Sequence, residues 1–190
     1  NLKVGILGPK IYFYDFKGEK NIIQSAGARI NLWLGRFNGI GYRQLDKGQF
    51  NKISEVDYVG GSCILARTKV IKKIGLLNEK YFLYFEETDW CFRVKQAGYL
   101  ILYVPESKIW HKQGASVKKV SGIEIYYNTR NLFYFERKFA NPCQLLFFLE
   151  YYFIFVFPSR SIRLLLSSDK NKLFLLKKYL IAIKDGFYEK

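Results

Sequence analysis

Three carboxylates, Glu86, Glu87 and Asp89, follow directly after the aromatic-rich run 81–85. A carboxylate beside an apolar surface keeps its proton to a higher pH, which suits a general base that works near neutral pH. Acids in the first turn of a helix also complement the helix dipole and cap free N–H groups. The residues alone therefore leave a catalytic and a purely structural interpretation open.

Helical spacing separates the faces on which these acids lie. If a helix begins near residue 86, Glu87 shares a face with Cys91 and Val94 and points inward. Asp89 and Arg93 are four residues apart and could form an ion pair on the helix surface. Glu87 is therefore the acid that the pattern directs towards the interior.

The elements around this helix are marked by glycine and proline. Residues 56–67 are predicted to form two strands that are separated by Gly60 and Gly61, since paired glycines let a backbone bend or approach a ligand closely. Residues 99–104 are predicted to form a short buried strand that ends at Pro105. Two further short strands are expected around Gly8 and Pro9, and residues 122–139 are predicted to form one helix.

The order of these motifs resembles the C-terminal half of a family 2 glycosyltransferase of the bacterial rhamnosyltransferase-like type. The resemblance covers residues 1–140, and its motifs agree in register, which makes it more specific than a single glycine motif. The matching segments are Gly60-Gly61, 75–79, 84–93, 97–99, Val104-Pro105 and His111.

The resemblance implies an α/β fold: a partial GT-A (Rossmann-like) mixed sheet that lacks its N-terminal nucleotide-binding half, followed by a hydrophobic and amphipathic helical tail. It also implies an inverting transferase that moves a sugar from a nucleotide-diphosphate donor to a cell-surface glycan or polyprenyl-linked acceptor in polysaccharide and cell-wall biosynthesis. A divalent Mg or Mn ion, shared with the missing half, would neutralise the diphosphate.

The resemblance also assigns roles to single residues. Glu87, where the family usually has Asp, is the expected general base, and Glu86 and Asp89 are the alternative catalytic or acceptor-holding acids. The remaining expected contacts are acceptor binding by Gly60, Gly61, Trp90 and Arg93, metal binding by His111 and phosphate binding by Arg130. Without the resemblance, a lone histidine after a strand is more often structural, and Arg130 is as readily a surface arginine.

The chain begins at Asn1 and contains no methionine, which predicts a fragment of a longer protein. The family's Asp-x-Asp metal motif precedes the region that this chain covers. We therefore expect the chain alone to be inactive. Its three cysteines are far apart in the sequence, so neither a zinc site nor a disulfide framework is expected.

The formal net charge of +15 calls for an anionic partner. The sequence contains none of the common nucleic-acid-binding motifs, and its basic residues flank apolar runs, so we expect no nucleic acid partner. Residues 145–157 are apolar with one acid and end at Pro158, which is short of the roughly 20 residues of a membrane span. Together with Lys177, Lys178 and Lys184, they predict an interfacial helical region on an anionic membrane surface.

We therefore divide the chain at residue 140. Residues 1–140 are predicted to be the acceptor-binding and catalytic part, and residues 141–190 a membrane-proximal helical tail on the cytoplasmic face of the bacterial inner membrane. Two alternatives stay open: a soluble helical hairpin in place of the membrane tail, and a non-catalytic membrane-surface module in place of the enzyme.

Overall fold

A computed structural model describes residues 2–114 and 120–188, which belong to two compact units. The first unit comprises Asn1–Ile30, Phe37–Phe82 and Glu86–Ala115, and the second comprises Asn31–Arg36, Leu83–Phe85 and Ser116–Lys190. Apart from two short segments, the second unit therefore follows residue 115, whereas the predicted functional boundary at residue 140 remains a prediction.

The described elements confirm the predicted mixed α/β class. The strands are β1 (Val4–Phe13), β2 (Ile23–Ser25), β3 (Ala28–Asn31), β4 (Arg36–Gly39), β5 (Ser54–Glu55), β6 (Leu65–Ala66) and β7 (Leu100–His111). The α-helices are α1 (Thr68–Ile74), α2 (Glu86–Gln96), α3 (Ile123–Phe139), α4 (Pro142–Tyr151), α5 (Phe157–Leu165) and α6 (Lys172–Tyr188). A 3₁₀ turn covers Glu79–Tyr81, and a π-helical segment, Tyr152–Val156, joins α4 to α5.

The sheet of the first unit is built around β1, whose residues are almost all buried because strands lie on both of its sides. The strand order is β2-β1-β7-β5, and β6 also pairs with β1. Strands β1 and β7 run parallel, whereas the pairings of β1 with β2 and β6 and of β7 with β5 are antiparallel. The connection between the two parallel strands carries helices α1 and α2.

The first of the two strands predicted within residues 56–67 is not formed, since β5 ends at Glu55 and only β6 lies in that range. Two further predictions, about strand ends, are wrong, and one irregularity accounts for them. Residues 4–13 form a single strand rather than two, and β7 continues past Pro105. Pro9 pairs with Val104, but Lys10 pairs with Lys108, so three residues of β7 bulge out of the ladder. Pro105 has no N–H to donate and lies in that bulge, where none is needed.

Helices α1 and α2 contribute to the core of the first unit. Helix α1 ends at Gly75, whose φ of 81° suits glycine at a helix C-terminus. Cys91 and Val94 of α2 are fully buried, which confirms the predicted inward face. A side chain at Gly5 of β1 would collide with Val94, so this glycine permits α2 to pack closely on the strand.

The second unit has an aromatic core between its helices. Phe133 of α3, Phe148 of α4, Tyr152 of the π-helical segment and Tyr179 of α6 are almost fully buried and contact one another. Helix α3 extends over Ile123–Phe139 and is preceded by Gly122, as the sequence predicted.

The apolar helix of the second unit does not stop at Pro158. Residues Pro142–Leu165 form one continuous helix of 24 residues, so the helix continues past the end of the apolar run, and the prediction that it is too short for a membrane span is wrong. Proline removes one helical hydrogen bond, and the π-helical turn just before it accommodates the change. By length and composition this helix could cross a membrane. Of its most apolar 18-residue stretch, 11% is buried.

Candidate active site

Glu87 lies in the first turn of α2, against the glycine pair that follows the Tyr58–Val59 segment. The backbone N–H groups of Gly61, Thr88 and Glu87 itself lie close enough to its carboxylate to favour the ionised form and lower its pKa. A methyl group at Gly61 would lie 3.4 Å from both Cγ and Cδ of Glu87, and one at Gly60 would lie 3.1 Å from Cδ1 of Ile11. The glycine pair therefore lets the backbone run directly beside the acid.

The environment of Glu87 raises its pKa to about 7, from an ordinary value of 4.5. Burial is the largest cause, and the neighbouring charge of Glu86 adds to it, whereas the three N–H donors oppose the rise. The side chain remains partly accessible at the surface. A partly accessible carboxylate that titrates near neutral pH is suited to accept a proton from a bound hydroxyl group.

Glu86 is the like-charged neighbour that helps to hold the proton on Glu87. Its Oε2 atom is buried and has no hydrogen-bond partner among the described residues. The negative charge of Glu86 therefore favours the protonated form of Glu87.

Tyr58 and Cys91 lie close enough to Glu87 for its charge to raise the pKa of both side chains. Burial is the larger cause in each case, and it brings the pKa of the Cys91 thiol to about 12. This thiol is therefore not a nucleophile at neutral pH. Tyr58 is not among the residues that the sequence predicted for the site. The signal that the sequence offers for it is its place two residues before Gly60.

Asp89 is the most constrained of the three acids. It is fully buried, its Oδ1 accepts from the Tyr81 hydroxyl at 3.2 Å, and its Oδ2 accepts from Nε of Arg93 at 2.6 Å. The predicted ion pair between Asp89 and Arg93 is present, but the aspartate is buried rather than on the surface.

Trp90 and Arg93 join α2 to the end of α1. The guanidinium of Arg93 donates to the carbonyls of Ile74 and Leu76 at 2.6 and 2.8 Å, and Nε1 of Trp90 donates to the carbonyl of Gly75 at 2.9 Å. These bonds satisfy carbonyls that a helix leaves free at its C-terminus. The two side chains therefore hold α2 in place, and their contact with an acceptor stays a prediction.

His111 ends β7, in register with Phe13 at the end of β1, and two residues beyond the pair Ile11 and Ile109. Alternate residues of a strand share a face, so His111 lies on the face that carries Ile11, the residue against Gly60. Its Nδ1 lies 3.0 Å from Oε1 of Gln24, so a neutral ring donates from Nδ1 and keeps a lone pair on Nε2.

A metal site is not assembled by the residues that the structure describes, since no group of three His, Cys, Asp or Glu side chains is placed to hold an ion. Mg and Mn prefer several oxygen ligands, and the partner of His111 is an amide rather than a carboxylate. The described residues therefore offer one nitrogen and do not by themselves fit a divalent cation.

Arg130 belongs to the second unit and is buried rather than on the surface. Its Nε donates to Oδ1 of Asn131 at 2.9 Å, and its guanidinium lies over the ring of Tyr127, 4.8 Å from the ring centroid. Phosphate binding by Arg130 remains a prediction.

The segment that carries the site matches proteins of one family. Residues 23–124 match the family described as glycosyltransferase like family 2. The chain is 31% identical over 126 residues to the dTDP-rhamnosyl transferase RfbF of Shigella flexneri, a match that covers 62% of this chain and 41% of that protein. It is 30% identical over 98 residues to the low-salt glycan biosynthesis hexosyltransferase Agl10 of Haloferax volcanii, covering 51% of this chain and 32% of that protein.

A third relative is the N-acetylglucosaminyl-diphospho-decaprenol L-rhamnosyltransferase of Mycobacterium tuberculosis, at 36% identity over 61 residues, 32% of this chain and 20% of that protein. In all three comparisons the matched stretch covers less than half of the relative. The family match itself extends over more than half of the present chain and includes Gly60, Gly61, all three acids and His111. The chain therefore belongs to the glycosyltransferase family 2.

Proposed function

We propose that the protein transfers a sugar from a nucleotide-diphosphate donor to a hydroxyl group of a glycan or polyprenyl-linked acceptor. The names of two relatives support a rhamnosyl donor as the first to test, and one of them supports an acceptor in which a sugar is joined to a polyprenol through a diphosphate. The observation that carries the proposal is the carboxylate of Glu87, which is raised to a pKa of about 7 beside the bare backbone of Gly61.

In the proposed reaction Glu87 takes the proton of the acceptor hydroxyl group. The acceptor oxygen then attacks the anomeric carbon as the bond from that carbon to the diphosphate oxygen breaks. The product has an inverted anomeric centre, the proton stays on Glu87, and the nucleoside diphosphate leaves with the bonding electrons. A single displacement needs one base, in contrast to hydrolases that use two carboxylates.

Glu86 is the better supported of the two alternative candidates for the base. Both oxygens of Asp89 already accept hydrogen bonds, from Tyr81 and Arg93, whereas Oε2 of Glu86 has no partner among the described side chains and backbone groups. An acid with a free oxygen can accept a proton without first breaking an ion pair. We therefore rank Glu87 first, Glu86 second and Asp89 third.

The other predicted contacts extend this proposal. Gly60 and Gly61 would let the acceptor approach Glu87, and Trp90 and Arg93 would fix the helix that carries it. His111 would supply one ligand to a Mg or Mn ion and Arg130 a phosphate contact. We assign no step to the metal, because the described residues do not form a complete site for it.

We also propose that the protein works peripherally on the anionic cytoplasmic face of the bacterial inner membrane, in cell-wall or other polysaccharide synthesis. This is supported by the apolar side chains that the helix Pro142–Leu165 exposes and by the basic residues that follow them. The largest exposed apolar side chains on this helix are Leu146, Phe147, Phe153, Ile154, Phe155, Ile162 and Leu165. The same surface supports a second candidate function, a non-catalytic membrane-surface module.

The test measures release of nucleoside diphosphate from a panel of sugar nucleotides that includes dTDP-rhamnose, with Mg or Mn and anionic vesicles. The full-length polypeptide that contains this sequence is compared with its Glu87→Gln variant. We expect the variant to lose activity by a factor of about 10² to 10⁴, because the base is removed. Glu79→Gln is the matched control, since Glu79 is exposed in the same unit.

The other outcomes decide between the alternatives. Activity that survives Glu87→Gln and is lost in Glu86→Gln would move the base to Glu86. No release from any donor, with vesicle binding that is unchanged by substitution of Glu87 or His111, would favour the membrane-surface module. Residues 1–190 alone, assayed in parallel, test the prediction that this chain is inactive by itself.

A further inference from the structure

The chain enters helix α2 through an unusual backbone conformation. Tyr84 and Phe85, the two residues before Glu86, have φ angles of 65° and 73°, and Phe82 has a φ angle of 59°. Residues other than glycine and asparagine rarely adopt a positive φ angle, because their Cβ atom crowds the backbone. Such a conformation persists only when its surroundings hold it.

The side chain of Asn131 in α3 holds this segment through hydrogen bonds. This side chain is fully buried, and Nδ2 donates to the carbonyl of Leu83 at 2.8 Å and to that of Tyr84 at 2.7 Å. One amide group therefore uses both of its N–H bonds on consecutive carbonyls of the strained segment. The ring of Phe85 also lies 5.8 Å from that of Phe135, one turn further along α3.

Arg130 fixes which way this amide points. Its Nε donates to Oδ1 of Asn131, so the amide oxygen faces the guanidinium and the amide nitrogen faces the two carbonyls. The guanidinium is itself held over the ring of Tyr127. Arg130 thus sets the orientation of the Asn131 side chain independently of residues 83–85. All of these groups belong to the second unit.

We propose that Asn131 is a positioning residue, which holds Tyr84 and Phe85 in the left-handed conformation and thereby fixes the first turn of α2, which carries Glu86 and Glu87. The coupling runs through the chain itself, because Phe85 and Glu86 are adjacent. Loss of that hold would let the first turn of α2 unwind, and Glu87, which lies in that turn, would then leave its place against Gly61. The catalytic meaning of this role rests on the proposed function.

The test compares Asn131→Asp with Asn128→Asp. The first change keeps the shape of the side chain and removes the two donors. The second makes the same change one turn earlier in α3, where Nδ2 of Asn128 bonds only the carbonyl of Glu124 within its own helix. Titration of ¹³C-labelled glutamate carboxyls by NMR reports the pKa of Glu87 directly and needs no turnover.

We expect Asn131→Asp to lower the pKa of Glu87 by about one unit or more, towards its ordinary value, because the acid leaves its buried site. Transfer activity should fall on the order of 10²-fold, as for a misplaced catalytic group. Asn128→Asp should change neither quantity. An unchanged Glu87 titration in folded Asn131→Asp would overturn the proposal, even if no sugar donor were ever found.

A variant that fails to fold is distinguished by its collapsed NMR spectrum, and Asn131→Ser then takes its place. Serine keeps one donor in a smaller side chain, so we expect a smaller downward shift of the same pKa. If the pKa of Glu87 in a folded Asn131→Ser protein equalled the wild-type value, the proposal would again be overturned. If the NMR shift is found but no donor is turned over, the positioning role stands and the proposed function fails.

Discussion

Two glutamates among the described residues have strongly raised pKa values, but their surroundings differ. The pKa of Glu87 in the first unit is about 7, and that of Glu136 in the second unit is about 8. Glu87 is partly accessible, and three nearby backbone N–H groups favour its ionised form. Glu136 is fully buried on α3, and among the described residues neither of its oxygens has a hydrogen-bond partner.

The difference shows that a raised pKa alone does not identify a catalytic acid. Burial is the only cause of the shift at Glu136, so this side chain stays protonated at neutral pH. At Glu87 the N–H donors oppose the burial and leave a group that can release and accept a proton near pH 7. Accessibility and partners, rather than the size of the shift, distinguish a candidate base from a buried acid.

The largest effect on this comparison is expected from closing the space beside Glu87. Gly61→Ala adds a methyl group at ordinary contact distance, whereas Gly61→Val adds two more carbon atoms where the acid meets the backbone. We expect Gly61→Val to reduce transfer on the order of 10²-fold, because it displaces or covers Glu87, and Gly61→Ala to retain most activity. Initial rates of nucleoside diphosphate release measure both, and equal rates would show that Gly61 does not shape the site.

A smaller and continuous effect is expected from pH. Glu87 must be unprotonated to act as a base, so kcat/KM should be flat above about pH 7 and fall tenfold per unit below it. Glu86→Gln removes the like charge and should move this acidic limb to lower pH. Glu136→Gln should leave the acidic limb in place. If the limb moved in Glu136→Gln, the group that titrates would be Glu136 rather than Glu87.

Local pattern was sufficient to predict which face of α2 is buried. Helical spacing placed Glu87 on the inward face with Cys91 and Val94, and both of these residues are fully buried. Paired glycines predicted that the backbone approaches a ligand; Gly61 lies against Glu87, and the approach of a ligand stays a prediction. Both features depend on residues that are near one another in the sequence.

The failures have two physical causes, which are local irregularities of the backbone and contacts between residues far apart in the sequence. Prolines predicted ends at residues 105 and 158, but a bulge in β7 and a π-helical turn before α5 accommodate them. The bonds from Asn131 to the carbonyls of Leu83 and Tyr84 join residues almost fifty positions apart. No spacing rule reaches that far, so the hold on the left-handed segment was not visible in the sequence.

The smallest expected effect concerns the stability of the second unit. The folded pKa of Glu136 is about 8, above its ordinary 4.5, so the folded state binds more protons between these pH values. The stability that this acid contributes is therefore fully present below about pH 4.5 and is lost as pH rises through 8. Glu136→Leu removes the buried carboxyl, so the difference in unfolding free energy between the variant and the wild type should shift in favour of the variant as pH rises.

Urea unfolding at pH 5, 7 and 9 measures this difference. We expect Glu136→Leu to be more stable than the wild type by about 1 to 4 kcal/mol at pH 9 and to gain less at pH 5. Glu87 titrates in both proteins, so its own contribution cancels in the comparison. Transfer activity should be unchanged, because Glu136 takes no part in the proposed reaction. A difference that is the same at every pH would mean that Glu136 is ionised in the folded protein, and its contrast with Glu87 would then disappear.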